Sequence, residues 1–206
     1  MKPLDNDRIV YCDNHLLVVN KPPGIATQPD LEETAKAWVK KTYQKPGNVF
    51  LHPIHRLDKS VGGLVLFART SKALSRLQAL MRERKISKTY HALVEGRLSC
   101  KEGTLKHSLV HGDHKAFVSS QGKEAILHYR VLEEKDGCTH VTIDLETGRY
   151  HQIRAQFAAT GHPILGDKKY GSTRHYPEGI ALCHVRLEFI HPITKTGCVF
   201  NLSLEL

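Results

Sequence analysis

Residues 55–63 read His55-Arg56-Leu57-Asp58-Lys59-Ser60-Val61-Gly62-Gly63. Asp58 has Arg56 and Lys59 close by, and neighbouring cations favour the charged form of a carboxylate. A charged carboxylate is a poor general acid and a competent nucleophile or base. An arbitrary R-x-D is most often a surface ion pair. Here a glycine pair precedes an apolar run, as expected where something must approach the backbone closely.

Two further stretches bear groups able to do chemistry. Residues 145–154 read Leu145-Glu146-Thr147-Gly148-Arg149-Tyr150-His151-Gln152-Ile153-Arg154. A strand ends, glycine turns the chain, and a helix begins whose first amides can face an anion. His151 and Arg154, three apart, share one helical face, and Ile153 and Phe157 can pack inward. Taken alone, an ordinary amphipathic helix accounts for this pattern. The third stretch, Gly161-His162-Pro163-Ile164-Leu165-Gly166-Asp167 leading to Tyr170-Gly171, is a dense turn with an acid, as consistent with structure as with a ligand loop. His107, His111 and His114 have spacings a metal could use. They come without a carboxylate pair and sit in a loop-like stretch, so single surface histidines or phosphate contacts explain them better.

The chain has 206 residues, 40% hydrophobic and 25% charged, which excludes a disordered or fibrous protein. No apolar run approaches the roughly 20 residues that span a bilayer. The N-terminus lacks the apolar stretch of a leader, so a cytoplasmic protein without membrane contact is expected. Five cysteines, at 12, 100, 138, 183 and 198, form no C-x-x-C and read as free thiols. The formal net charge is +9, and residues 56–90 hold nine basic against two acidic side chains. A surplus concentrated in this way suits a nucleic-acid surface better than a solvated face.

The elements that must position these groups read as follows. Strands over 8–11 and 16–19 flank the Asp13-Asn14 turn. Asp30 and Glu33 form a capping box for a helix to Tyr43. A short apolar strand over 64–68 precedes an amphipathic helix over 70–84 with a basic outer side. Residues 90–95 are a strand, and 97–124 read as loops and short hairpins. Strands over about 126–132 and 139–145 join at Lys135-Asp136-Gly137. A helix over 150–160 stops at Gly161, and strands over 180–190 and 198–205 close the chain. The expected fold class is α+β: a single domain, 1–206, with a mixed, mostly antiparallel sheet flanked by helices. No G-x-G-x-x-G or G-x-x-x-x-G-K-[ST] is present, so no nucleotide cofactor is indicated.

Taken together, these segments resemble the RNA pseudouridine synthases of the RluA type. The resemblance rests on Asn20-Lys21-Pro22-Pro23-Gly24, H-R-L-D at 55–58, Lys88-Thr89-Tyr90-His91-Ala92-Leu93-Val94-Glu95-Gly96, and Thr147 to Arg154. Gly161-His162-Pro163 with Gly166-Asp167, and Phe189-Ile190-His191-Pro192, continue it in the same order. The resemblance implies the pseudouridine synthase fold and isomerisation of a uridine in rRNA or tRNA, with no cofactor and no metal. It implies that Asp58 is the catalytic carboxylate, kept charged and oriented by Arg154. Tyr90 stacks on the target base, Arg56 takes the space that base leaves, and Ile153 walls the pocket. It further implies a stem-loop RNA partner, a monomer, and no separate N-terminal RNA-binding domain. Two departures stand out. Val61, Gly62 and Gly63 occupy positions where the family usually has Thr-Ser-Gly, and Tyr150 replaces a threonine. A non-catalytic RNA-binding derivative of the same fold is the alternative.

Overall fold

The computed structural model describes residues 4–203. They form two compact units, one of residues up to 87 together with 186–202, the other of residues 88–185. No helix among the described residues is long and apolar enough to cross a membrane.

In the first unit β1 (Ile9–Cys12) and β2 (Leu16–Lys21) form an antiparallel hairpin, and β2 pairs antiparallel with β4 (Gly62–Ala68). The two-residue β3 (His52–Pro53) lies on β4. Asp13 closes the hairpin: one carboxylate oxygen accepts the amides of His15 and Leu16, both at 2.7 Å. Its other oxygen accepts the hydroxyl of Tyr11 and Nε2–H of His191, each at 3.0 Å. His191 is fixed in that tautomer because its Nδ1 accepts the amides of Ile193 and Thr194. Leu16, Val18, Leu64 and Leu66 pack with Ala73 and Leu77 of α2 (Ser71–Arg82), and with Leu187 and Phe189. Thr70 caps α2 by accepting the amide of Ala73. The basic side chains expected on the outer side of this helix, Lys72, Arg76 and Arg82, stand clear of its buried stripe.

The helix expected after Asp30 forms as α1 (Glu32–Thr42), but the capping box does not. Asp30 reaches back to the amide of Ala26 at 2.9 Å, because a wide turn over Thr27–Leu31 carries the chain into the helix.

The second unit is a sheet in the order β5-β9-β8-β6-β7, antiparallel throughout. Its strands are β5 (Ser87–Glu95), β6 (Glu102–His111), β7 (Ala116–Val118), β8 (Lys123–Lys135) and β9 (Cys138–Leu145). Asp136 and Gly137, both at positive φ, turn β8 into β9 as a two-residue hairpin loop requires. Residues 97–124 are not the expected loops, for β6 alone is ten residues long. Its inward side chains, Gly103, Leu105, His107 and Leu109, carry too little apolar surface to register as a period-two pattern. The helix α3 (Gln152–Ala159) stops where expected: Gly161 adopts φ +82°, and the amides of Gly161 and His162 return to the carbonyls of Ala158 and Phe157. Finally β10 (Leu182–Ile190) runs out of this unit into the first, where its second half pairs antiparallel with β11 (Gly197–Asn201). The expected last strand thus ends at 201, and 204–205 lie outside the described residues. The fold is α+β and predominantly antiparallel, as the residue patterns require.

Candidate active site

In the first unit Asp58 lies on the loop between β3 and β4, with Leu57 buried and Arg56 exposed beside it. Two side chains fix this loop. Thr27 clamps Leu57: its hydroxyl donates to the carbonyl of Leu57 at 3.1 Å and accepts the amide of the same residue at 3.0 Å. Lys21 is fully buried, an arrangement a charge tolerates only with partners. Its ammonium donates to the carbonyls of Pro22 (3.0 Å), Ile25 (2.9 Å) and Lys59 (3.4 Å). The amide of Gly24 also reaches the carbonyl of Lys59, at 2.8 Å. Hence Lys21 and Gly24 hold the backbone at Lys59 and Thr27 holds it at Leu57, one on each side of Asp58. The amide of Val61 closes the turn on the carbonyl of Asp58 at 3.0 Å, and uses backbone alone. The hydroxyls missing at 61 and 62 are not needed for that turn.

In the second unit Arg154 is buried on α3 and held bidentately by Asp167, Nε to Oδ2 at 2.7 Å and Nη2 to Oδ1 at 2.9 Å. The geometry fixes the guanidinium plane. Nη1 donates to Nε2 of His151 at 2.9 Å. Arginine can only donate, so Nε2 of His151 must be bare and its proton sits on Nδ1. That proton goes to the hydroxyl of Tyr170 at 2.9 Å. The Tyr170 hydroxyl in turn donates to the carbonyl of Ala116 and accepts its amide. The guanidinium also lies 5.0 Å over the Tyr170 ring. His151 holds this geometry at φ +50°, an uncommon conformation for a side-chain-bearing residue.

Gln152 and Thr147 bind α3 to the sheet. Thr147 accepts the amide of Ile126 and donates to Oε1 of Gln152, whose Nε2 donates to the carbonyl of Ile126. Beyond Asp167, Glu95 holds the chain by accepting the amides of Thr173 and Arg174 and the hydroxyl of Ser172. Burial alone would push the Glu95 carboxyl up, but these hydrogen bonds outweigh it and hold it below the usual range.

Tyr90 is buried on β5, one face of its ring stacked on His184 at 4.7 Å. Ile153 is buried beside Arg154 on α3. Tyr150, exposed at the surface, lies between the rings of His111 and His151, at 4.0 and 3.9 Å. His107 instead faces Gln156, and His114 offers its backbone carbonyl to the ammonium of Lys169. Among the described residues no three His, Cys, Asp or Glu side chains gather as a metal ion would need. The second unit thus brings Arg154, Ile153 and His151 together on one helix. No local sequence pattern marks Asp167 as the acid that fixes Arg154, or Thr27 and Lys21 as supports of the Asp58 loop.

A family model described as RNA pseudouridylate synthase matches residues 15–159, a span that includes Asp58, Tyr90 and Arg154. The chain belongs to that family. It is an enzyme of the isomerase class, as the family's members are. It is 35% identical over 98% of its length to the uncharacterized RNA pseudouridine synthase YjbO of Bacillus subtilis, of which it spans 73%. It is 37% identical over 94% of its length to the dual-specificity RNA pseudouridine synthase RluA of Pasteurella multocida, and spans 91% of that protein. The solved structure of human RNA pseudouridylate synthase domain containing 1 covers 98% of the chain at 27% identity, with a TM-score of 0.78 and 86% of that chain matched. His55, Arg56, Leu57 and Asp58 and the residues 147–154 therefore sit within the matched segment, on elements whose supports are the residues described above.

Proposed function

We propose that this protein converts a uridine in rRNA or tRNA, presented in a stem-loop, to pseudouridine, with Asp58 as the catalytic carboxylate. The observation that carries this reading is family membership combined with the bracing of the Asp58 loop by Lys21 and Thr27. An ionisable side chain gains from rigid backbone support when it must meet one atom of a substrate.

The reaction breaks the bond from N1 of uracil to C1′ of the ribose, turns the base, and joins C5 to C1′. The C5 proton is then lost and N1 gains one, so substrate and product are isomers. Asp58 stabilises or traps the positive charge that develops at C1′, or removes a sugar proton. Arg154, its plane set by Asp167, supplies the cation that keeps the carboxylate charged and oriented. The target base must leave its stack, and the Tyr90 ring offers it an aromatic face. Arg56, exposed beside Asp58, fills the vacated space, and Ile153 lines the pocket. No cofactor or metal is required, and the protein acts as a monomer in the cytoplasm.

The test follows hydrogen at C5. RNA labelled at C5 of uridine with tritium, taken from cells lacking the gene, should release tritium to water while uracil stays attached. Release of free uracil would mean hydrolysis and overturn the reading. Binding without either product would point to a non-catalytic derivative, for which the altered residues Val61 and Gly62 are the place to look.

A further inference from the structure

Lys88 opens the face of β5 that also carries Tyr90, Ala92 and Val94, because side chains alternate along a strand. The last three are buried, and Lys88 is half-buried. The two buried cations described above are compensated, Lys21 by three carbonyls and Arg154 by Asp167. Lys88 makes no hydrogen bond or ion pair among the described residues. Its amine lies beside the exposed turn before α3, where a Cβ on Gly148 would be 3.6 Å from Nζ. The Lys88 position thus lies about 7 Å along the strand from Tyr90, on the same face.

An ammonium desolvated by its own protein calls for an acceptor from outside it. If the protein acts on RNA, as proposed above, the formal anion such a partner offers is phosphate. We propose that Lys88 is a positioning contact to an RNA phosphate next to the nucleotide that meets Tyr90. The basic face of α2 gives attraction to any polyanion, whereas a single cation held in place registers one phosphate. Burial pushes the Lys88 amine below its ordinary value with no partner to restore it. A phosphate favours the charged form, so binding at raised pH takes up a proton.

The experiment uses total RNA carrying [5-³H]uridine from cells lacking the gene, with enzyme in excess, and reads the half-saturating concentration and the maximal rate of tritium release. Lys88→Met should raise the half-saturating concentration about tenfold and leave the maximal rate within about twofold. Its dependence on log salt should be shallower by nearly one unit. Lys88→Arg should restore both, since it keeps the charge. Raising the pH should weaken the wild type more than Lys88→Arg, a contrast that packing alone cannot produce. An unchanged half-saturating concentration in Lys88→Met overturns the proposal. So does a fall in maximal rate that arginine fails to restore, which would make Lys88 part of the chemistry. If the wild type releases no tritium, the reading as a pseudouridine synthase fails first, and this contact with it.

Discussion

Replacing Asp167 with alanine removes the acceptor of two charge-assisted hydrogen bonds from Arg154. The two side chains are 2% and 6% exposed, so water cannot take over the role. Hydrogen bonds to charged groups contribute about 1.5–3 kcal/mol each, which gives roughly 3–6 kcal/mol for the pair. Stranding one partner of a buried ion pair costs about 3–5 kcal/mol by independent measure. The two ranges overlap near 4 kcal/mol. For a chain of this size that corresponds to a fall in melting temperature of roughly 8–16 °C. Trp38, the sole tryptophan, sits in the first unit and is a poor reporter of the second. Hydrogen exchange of the α3 amides, 152–159, reads the loss where it occurs. A companion variant, Arg154→Met with Asp167→Leu, leaves no charge stranded and should regain most of the stability while remaining inactive. A loss below about 1 kcal/mol in Asp167→Ala would show that the pair does not anchor α3, and would refute the reasoning.

Asp58→Asn, nearly isosteric, should abolish tritium release while melting temperature and RNA affinity stay near wild type; turnover within tenfold of wild type would move the catalytic role elsewhere. Tyr90→Phe should work better than Tyr90→Ala, since a lost base–aromatic stack costs about 1–3 kcal/mol, or roughly tenfold to a hundredfold in efficiency. If Phe fails as badly as Ala at equal stability, stacking is not the ring's sole task. Acid should weaken the first unit through Asp13. Burial would raise this carboxyl, but bonds from the His15 and Leu16 amides, Tyr11 and His191 prevail and hold it low. Its contribution is therefore full above the unfolded value of about 3.9 and lost as pH falls through the lower folded one. The urea midpoint read by Trp38 should drop across that range, and Asp13→Asn should flatten the drop; an unaltered acid limb in the variant would exclude Asp13 as its source.

The family's segments were legible in the sequence because their residue types and order are unusual, and so were the elements with strong apolar periods, β4 and α2. The second unit's long β6 was not, since its inward positions are glycine, histidine and only two leucines. Supports escaped for a different reason. Asp167 lies thirteen residues from Arg154 and Thr27 thirty from Leu57, and no local pattern encodes such pairings. Lys21 would have been read as a surface lysine beside a proline turn. Only the fold reveals that the chain closes over it. The false capping box at Asp30 has a local cause, for the same carboxylate satisfies an earlier amide once the preceding turn widens.

The two units do not become complete in the order in which a ribosome makes them. Residues 88–185 are contiguous, so that unit has its whole sequence as soon as position 185 emerges. The other begins first and finishes last, since Leu187, Phe189 and Phe200 must join Leu16, Val18, Leu64 and Leu66 to close its core. About 100 residues separate the two parts, which at 5–20 residues per second is a wait of roughly 5–20 s. Through that interval an apolar strand pair stands without its cover on the nascent chain. Synthesis rate and nascent-chain chaperones should therefore govern the yield of this half far more than that of the unit completed earlier.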